Sequence, residues 1–219
     1  LGLATVELGV QSFDSGALAA SRRGYGPEQA LAGCAAVREA GLSLVVQLMP
    51  GLPGDREGVF EKDLGLALAQ GPAALRLYPC LVLAGTPLAG LWRAGGYAPW
   101  ALDRTVEGLA QALLACGAAG VPVIRTGLAP QEGLAGKVLA GPMHPALGQM
   151  ARSRALFLHL RAALERAGAS AARSLAAPRR VQGEFWGHGR ELAPDYAGLG
   201  ILPDRVRFED REDFVLEYS

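Results

Sequence analysis

The sequence predicts an α/β protein built on a parallel sheet, roughly half of a (β/α) barrel, followed by a smaller extension of helix and short strands. Three observations carry this. Short β-rich runs alternate with longer helical segments up to residue 126, the order that parallel sheets with crossover helices require. The second run, Leu44 to Met49, is almost wholly apolar, as expected of a strand covered on both faces. Polar and glycine-rich residues gather where these runs end, at Gln11-Ser12, Gln47 to Gly54 and Tyr78 to Thr86, and open α/β sheets bind ligands at the carboxyl ends of their strands.

Taken in order, Thr5 to Val10 reads as a strand. Pro27 to Ala40 reads as a helix: Pro27 suits a first turn, Glu28 favours the positive end, and Gly41 stops it. Leu44 to Met49 is the second strand. Gly58 to Gln70 is helical, with Phe60, Leu64, Leu66 and Leu68 on its buried side, until Gly71-Pro72 breaks it. Ala74 to Tyr78 is a third strand. Asp103 to Cys116 is a helix with Asp103 as N-cap, and Val121 to Thr126 a fourth strand. The first domain is placed at 1–127 and the extension at 128–219. Leu128 to Pro145, rich in Gly and Pro, reads as a long ordered loop. Pro145 to Ala167 is a helix whose apolar side carries Leu147, Met150, Leu156, Leu160 and Leu164. Ala169 to Pro178 reads as a linker. A small β appendage over 179–219 follows, with strand-like runs at Arg180–Trp186, Arg205–Glu209 and Phe214–Tyr218. A half-barrel leaves an apolar parallel edge open, so poor folding or association of the isolated segment is expected.

Composition narrows the class. The chain has 219 residues, half of them apolar, and 21 basic against 21 acidic side chains, enough for one soluble domain and an appendage. No apolar run reaches the roughly 20 residues of a membrane span, and no signal peptide is visible. Cytoplasmic localisation is therefore expected. Cys34, Cys80 and Cys116 are far apart and in apolar stretches, which reads as buried reduced thiols rather than a metal site. Charge is uneven: Arg152 to Arg190 holds eight arginines against Glu165 and Glu184, while Glu191 to the end holds eight acids against three arginines. Such blocks pair with each other, stay solvated, or face a nucleic-acid backbone.

The strand-end residues suggest ligand contacts. Gly51-Leu52-Pro53-Gly54 lets backbone approach a ligand closely; it is also an ordinary turn sequence. Gln11 suits a ribose or amino-acid group, or a cap for the next helix. Arg23 suits a carboxylate fork, or a surface charge. What sets them apart is that all fall in the loops after the first two strands of one sheet.

At this point the order of motifs resembles a known family. Glu-Leu-Gly-Val-Gln-Ser (7–12), Arg-Arg-Gly-Tyr (22–25), Met-Pro-Gly-Leu-Pro-Gly (49–54) and Leu-Tyr-Pro-Cys-Leu-Val-Leu-Ala-Gly-Thr-Pro-Leu (77–88), continued by Leu91-Trp92 and Gly96-Tyr97, are similar to the radical S-adenosylmethionine (SAM) superfamily, in the branch of the Elongator catalytic subunit. The likeness runs from about residue 4 to 127. Arg125-Thr126-Gly127-Leu128 and Ala140-Gly141-Pro142-Met143-His144-Pro145 resemble a bacterial subgroup with a radical SAM C-terminal extension.

The resemblance implies the C-terminal half of a radical SAM barrel. Its relatives hold a 4Fe-4S cluster on three cysteines, cleave SAM reductively and generate a 5′-deoxyadenosyl radical. It implies SAM contacts by Gln11, Ser12, Arg23, Gln47, Gly51, Pro53, Leu81 and Val82, with Gln47 toward the ribose and Leu81 to Leu83 against the adenine. Tyr78, Arg125 and His144 become substrate candidates, His144 alternatively a turn residue. The chain lacks CxxxCxxC, so the cluster ligands are expected upstream of Leu1 and the chain alone is expected to be inactive. It also lacks an acetyl-CoA loop, and tRNA-uridine modification is not assigned. The alternatives are an RNA-binding module using residues 152–190, with Arg179, Arg180, Trp186 and His188 in its exposed loops, or a truncated product without function.

Overall fold

The computed structural model describes residues 2–128, 133 and 135–218. The chain divides into two compact units, Leu1–Leu147 and Gly148–Ser219.

In the first unit, β1 (Thr5–Gln11), α1 (Ser15–Ala20), α2 (Pro27–Glu39), β2 (Ser43–Leu48), α3 (Val59–Ala69), β3 (Ala74–Leu77), β4 (Val82–Leu83), α4 (Pro87–Arg93), α5 (Leu102–Ala118), β5 (Val123–Thr126) and β6 (Val138–Ala140) follow in order. Strands β1-β2-β3-β5 form one fully parallel sheet in that spatial order. Its two faces differ. Leu44, Val46, Leu48, Leu75 and Leu77 are all at most 2% exposed, forming one apolar face. On the other face, adjacent register positions bring together Glu7 beside Val45, and Gln47, Arg76 and Arg125 in one row across three strands, because side chains alternate with period two. The apolar reading of the second strand therefore holds on one face throughout; on the other Val45 is buried and Gln47 interrupts it.

Helix ends show where local signals were outweighed. The N-cap of α5 is Ala101, and Asp103 lies within the first turn, so Asp103 complements the helix dipole instead of capping it. On α3 the buried stripe is Val59, Phe60, Asp63, Leu64 and Ala67, the i, i+3, i+4, i+7 set; Leu66 is 39% exposed because it lies off that stripe. The segment read as a loop after Gly127 contains β6, which pairs antiparallel with β4, and this extends the compact unit past Gly127 to Leu147. Residues 129–132 and 134 of that segment lie outside the described residues.

The second unit holds α6, which runs Leu147–Arg166, then β7 (Ala172–Pro178), α7 (Ala193–Gly198), β8 (Val206–Glu209) and β9 (Val215–Tyr218). The predicted linker is in fact β7, the centre of the sheet β8-β7-β9: Ala172, Leu175, Ala176 and Ala177 are buried, mostly small side chains between the two neighbouring strands. The predicted strand over Arg180–Trp186 is instead a 3-10 turn at Arg179–Val181 and further turns. Pro178 ends the ladder, and Phe185 turns inward to stack on Tyr196, with ring centroids 4.5 Å apart. Among the described residues no helix is long and apolar enough to cross a membrane.

Candidate functional site

The carboxyl end of β1 is irregular in a way that aims side chains. The ladder with β2 shifts register between Leu8 and Gln11, a bulge, and bulges re-aim residues next to sites. Gln11 then sits at φ 64, a left-handed conformation that costs a non-glycine residue about 1–2 kcal/mol. The backbone tightens further as the Ser12 N–H donates to Val10 O at 2.7 Å. Such strain persists only where surroundings hold it, and here they do. The buried Asp63 carboxylate of α3 accepts the Phe13 N–H at 2.7 Å and a bond from the Ser12 hydroxyl. Ser12 Oγ accepts the Asp14 N–H, and Asp14 caps α1 through Ala17 N–H. Burial pushes the Asp63 carboxyl up to about 6, against the lowering effect of those bonds from Ser12 and Phe13.

The fixed Gln11 meets Gln47 on the next strand: Gln47 Nε2 donates to Gln11 Oε1 at 3.1 Å. This pairing orients both amides and uses one donor of Gln47 and one acceptor of Gln11, out of the several that each amide carries. Arg23 reaches the same strand end from outside, donating to Gly9 O at 3.3 Å and to Tyr25 Oη at 3.3 Å. Tyr25 Oη also donates toward Gly9 O and Val10 O. Arg23 and Tyr25 together thus occupy the Gly9 and Val10 carbonyls of the β1 edge, beside an apolar groove of about 190 Å³ lined by Leu8, Gly9, Val10 and Tyr25.

The loop after β2 is packed tightly. Gly51 has φ 79, and a Cβ there would lie 3.1 Å from Trp100. Its N–H donates to Asp55 and its carbonyl accepts the Tyr97 hydroxyl at 2.5 Å. Gly54, at φ 81, would place a Cβ 2.9 Å from Gly16 O. Gly51, Leu52 and Pro53 are all buried. Both glycines are therefore required by packing and backbone sign within the protein itself. Burial raises the Asp55 carboxyl, though Gly51 N–H and Trp100 hydrogen-bond it.

On β3, Arg76 NH1 donates to Tyr78 Oη at 3.2 Å and lies 3.3 Å from Glu7. Tyr78 is 9% exposed. Arg125 is exposed on β5. Leu81 is half-buried and Val82 fully buried in the β4–β6 pairing. His144 Nδ1 accepts the Ala146 N–H at 3.1 Å, the use a turn residue makes of it. The strand ends thus bring together Gln11, Ser12 and Gln47, with Arg76, Tyr78 and Arg125 on the same open face; Leu81, Val82 and His144 lie on the segment around β4 and β6. Reading the sequence missed Asp63, Glu7 and Arg76. Asp63 falls three residues after Phe60 on a buried stripe, and Arg76 interrupts the apolar run Ala-Leu-Arg-Leu; both patterns are signals of a buried polar group with work to do.

The three cysteines are separately buried and free, and burial raises each thiol, Cys116 to about 11. Among the described residues no group of three His, Cys, Asp or Glu is placed to hold a metal. The described cysteines, apart from one another, therefore do not fit an iron–sulfur cluster.

In the second unit several arginines have acidic partners: Arg152–Glu184 at 2.8 Å, Arg154–Asp195 at 2.8 Å and Arg179–Asp210 at 2.9 Å. Arg180 donates to the carbonyls of Arg211 and Glu212. Trp186 packs edge-on against Phe185 and Tyr196.

Residues 72–156 match the Radical_SAM C-terminal domain family. The chain is 32% identical over 110 residues to a tRNA uridine(34) acetyltransferase of Methanocaldococcus infernus, covering 49% of this chain and 21% of that protein. It is 30% identical over 115 residues to human Elongator complex protein 3, covering 51% and 21%. The chain spans about a fifth of the length of these relatives. Among solved structures, the archaeal Methanocaldococcus infernus Elp3 with an N-terminal deletion aligns with TM-score 0.59 and 26% identity, over 77% of this chain and 37% of that one. In motif order, parallel sheet and relatives the chain is similar to the Elongator-like branch of the radical SAM proteins, and residues 72–156 match that superfamily's C-terminal domain.

Proposed function

We propose that this chain is the SAM-facing part of a radical SAM enzyme, contributing the sheet face on which SAM and substrate lie. The observation that carries this is the Gln47–Gln11 amide pair at the carboxyl ends of β1 and β2, with Gln11 held in a left-handed conformation. A strained, buried, polar strand end is poor economy for a core and good preorganisation for a ligand. Gln11, Ser12 and Gln47 bind the amino-acid and ribose parts of SAM. Leu81 and the Val82 backbone face the adenine, and the Gly51–Pro53 turn forms the floor. Arg23 braces β1 through Gly9 O and presents its remaining donors to a carboxylate. A 4Fe-4S cluster would supply the electron for SAM cleavage; Cys34, Cys80 and Cys116 are separately buried and would not hold it, so this chain alone would be inactive. The two residues of the amide pair orient SAM, and Asp63 keeps their loop from relaxing. Tyr78, Arg125 and His144 belong to the substrate side.

The test is SAM affinity of the complete protein, by calorimetry. Gln11→Ala weakens SAM binding about tenfold, the loss of one well-oriented hydrogen bond to a polar ligand. Gln11→Gly removes the same amide while relieving the backbone, so it folds at least as well and binds as poorly. Unchanged affinity in both variants removes Gln11 from the site.

A further inference from the structure

From the row of basic residues on the open sheet face, we infer that Arg76 and Arg125 form an oxyanion subsite for the substrate, taking a phosphate or carboxylate. This rests on the proposed SAM-facing role of the same face.

The two arginines are register partners on neighbouring parallel strands, which lie about 4.8 Å apart. The pairing is produced by an irregularity: the ladder steps from Leu75–Val123 directly to Arg76–Arg125. Ile124 is the extra residue, and it is 53% exposed. Without that step Ile124 would partner Arg76; the bulge delivers Arg125 instead. Like charges directly opposite one another destabilise a sheet, so a register that creates such a pair needs a compensating group.

Glu7 partly supplies it. Glu7 lies 3.3 Å from Arg76 NH1, and Tyr78 Oη is 3.2 Å from the same nitrogen. Both partners converge on one end of the guanidinium. Arg76 Nε is buried and has no hydrogen-bond partner among the described residues; a buried, unmet donor costs about 1–3 kcal/mol. No described carboxylate forms an ion pair with Arg125. One acid thus stands against two guanidiniums, one of them braced on a single side with a donor left over. Guanidinium forks match the planar and tetrahedral oxyanions of carboxylates and phosphates. Gln47 completes the row and links it to Gln11, which puts the subsite next to the nucleoside contacts rather than on them.

The test is arginine modification of the complete protein by phenylglyoxal, read peptide by peptide by mass spectrometry, with exposed Arg22 as the internal reference. Inorganic phosphate slows modification of Arg76 and Arg125 severalfold and leaves Arg22 unchanged; protection by acetate instead identifies a carboxylate as the anion. Equal slowing at Arg22, or no slowing anywhere, overturns the subsite. Protection by SAM but by neither anion also overturns it, since the arginines then belong to the SAM site. Arg125→Gln, on an edge strand, abolishes phosphate protection of Arg76 while the affinity for SAM stays within about twofold. Loss of the proposed SAM role would show separately, as absent SAM binding in the unsubstituted protein with phosphate protection intact.

Discussion

Arginine is used in opposite ways in the two units. In the second unit, Arg152, Arg154 and Arg179 each contact one acid at 2.8–2.9 Å, two of these acids, Asp195 and Asp210, coming from the acidic tail. In the first unit, Arg76 and Arg125 stand side by side on a sheet face with Glu7 as the one carboxylate ion-paired to them among the described residues. On the proposed reading, the incompletely paired charge of the first unit rather than the denser arginines of the second marks the substrate face. Hydroxyls show the reverse. Tyr97 of the first unit donates to Gly51 O, whereas Tyr196 of the second is fully buried and its hydroxyl has no partner among the described residues.

The largest expected effects test whether both units are equally intolerant of backbone change. Gly54→Ala and Gly200→Ala each combine a positive φ with a Cβ forced against backbone oxygen, Gly16 O at 2.9 Å and Ala172 O at 2.6 Å. Left-handed strain of about 1–2 kcal/mol and overpacking of about 1–3 kcal/mol add to roughly 3 kcal/mol each, measurable by denaturant unfolding. A cost below about 1 kcal/mol in either would show that its turn relaxes freely.

The tyrosines give the next largest effect, with opposite signs. Tyr97→Phe leaves Gly51 O and the Cys80 thiol without their partner and costs about 1–2 kcal/mol. Tyr196→Phe removes an unsatisfied hydroxyl from an aromatic cluster and is neutral to about 1 kcal/mol stabilising. Destabilisation by both would mean that Tyr196 has a partner, and the contrast between the units would fail.

How far the sequence anticipates this can be seen residue by residue. The parallel sheet was legible because short β-rich runs, Leu44 to Met49 almost wholly apolar, alternate with helical segments, two of which end at the breakers Gly41 and Gly71-Pro72. Gln11 and Gln47 were legible as strand-end polar residues, although not as a pair; that depends on register, which no local pattern states. Strand β7 was illegible, since alanines pack between neighbours without any β propensity of their own. Arg125 was legible as a polar strand end, but its alignment with Arg76 depends on a one-residue bulge at Ile124. Asp63 was hidden in a helix with ordinary charged residues around it, and its use lies fifty residues away at Phe13.

Asp63 supplies a pH test of the first unit. Its carboxyl titrates near 6 in the fold and near 3.9 when unfolded. Between about pH 4 and 6 the folded protein therefore holds more protons, so the stability from this group is present below pH 4 and lost as pH rises through 6. Asp63→Asn flattens that part of the profile, measured by unfolding at pH 4.5 and pH 7. An unaltered profile would assign the pH dependence to other carboxylates.

The smallest expected effect is the one that most sharpens the contrast. The Arg179–Asp210 pair has side chains 60% and 86% exposed, and exposed pairs contribute between nothing and about 1 kcal/mol. Arg179→Ala therefore leaves stability nearly unchanged. Its effect on RNA binding is the decisive quantity. If arginines of the second unit are satisfied by their own acids, tRNA binding by the complete protein keeps its dependence on salt when Arg179 is removed. If Arg179 instead contacts phosphate, the slope of log affinity against log salt falls by close to one unit, because each cation–phosphate contact releases about one counterion. A fall of that size would return the arginine-rich segment to the binding surface and reduce the difference between the two units to one of burial alone.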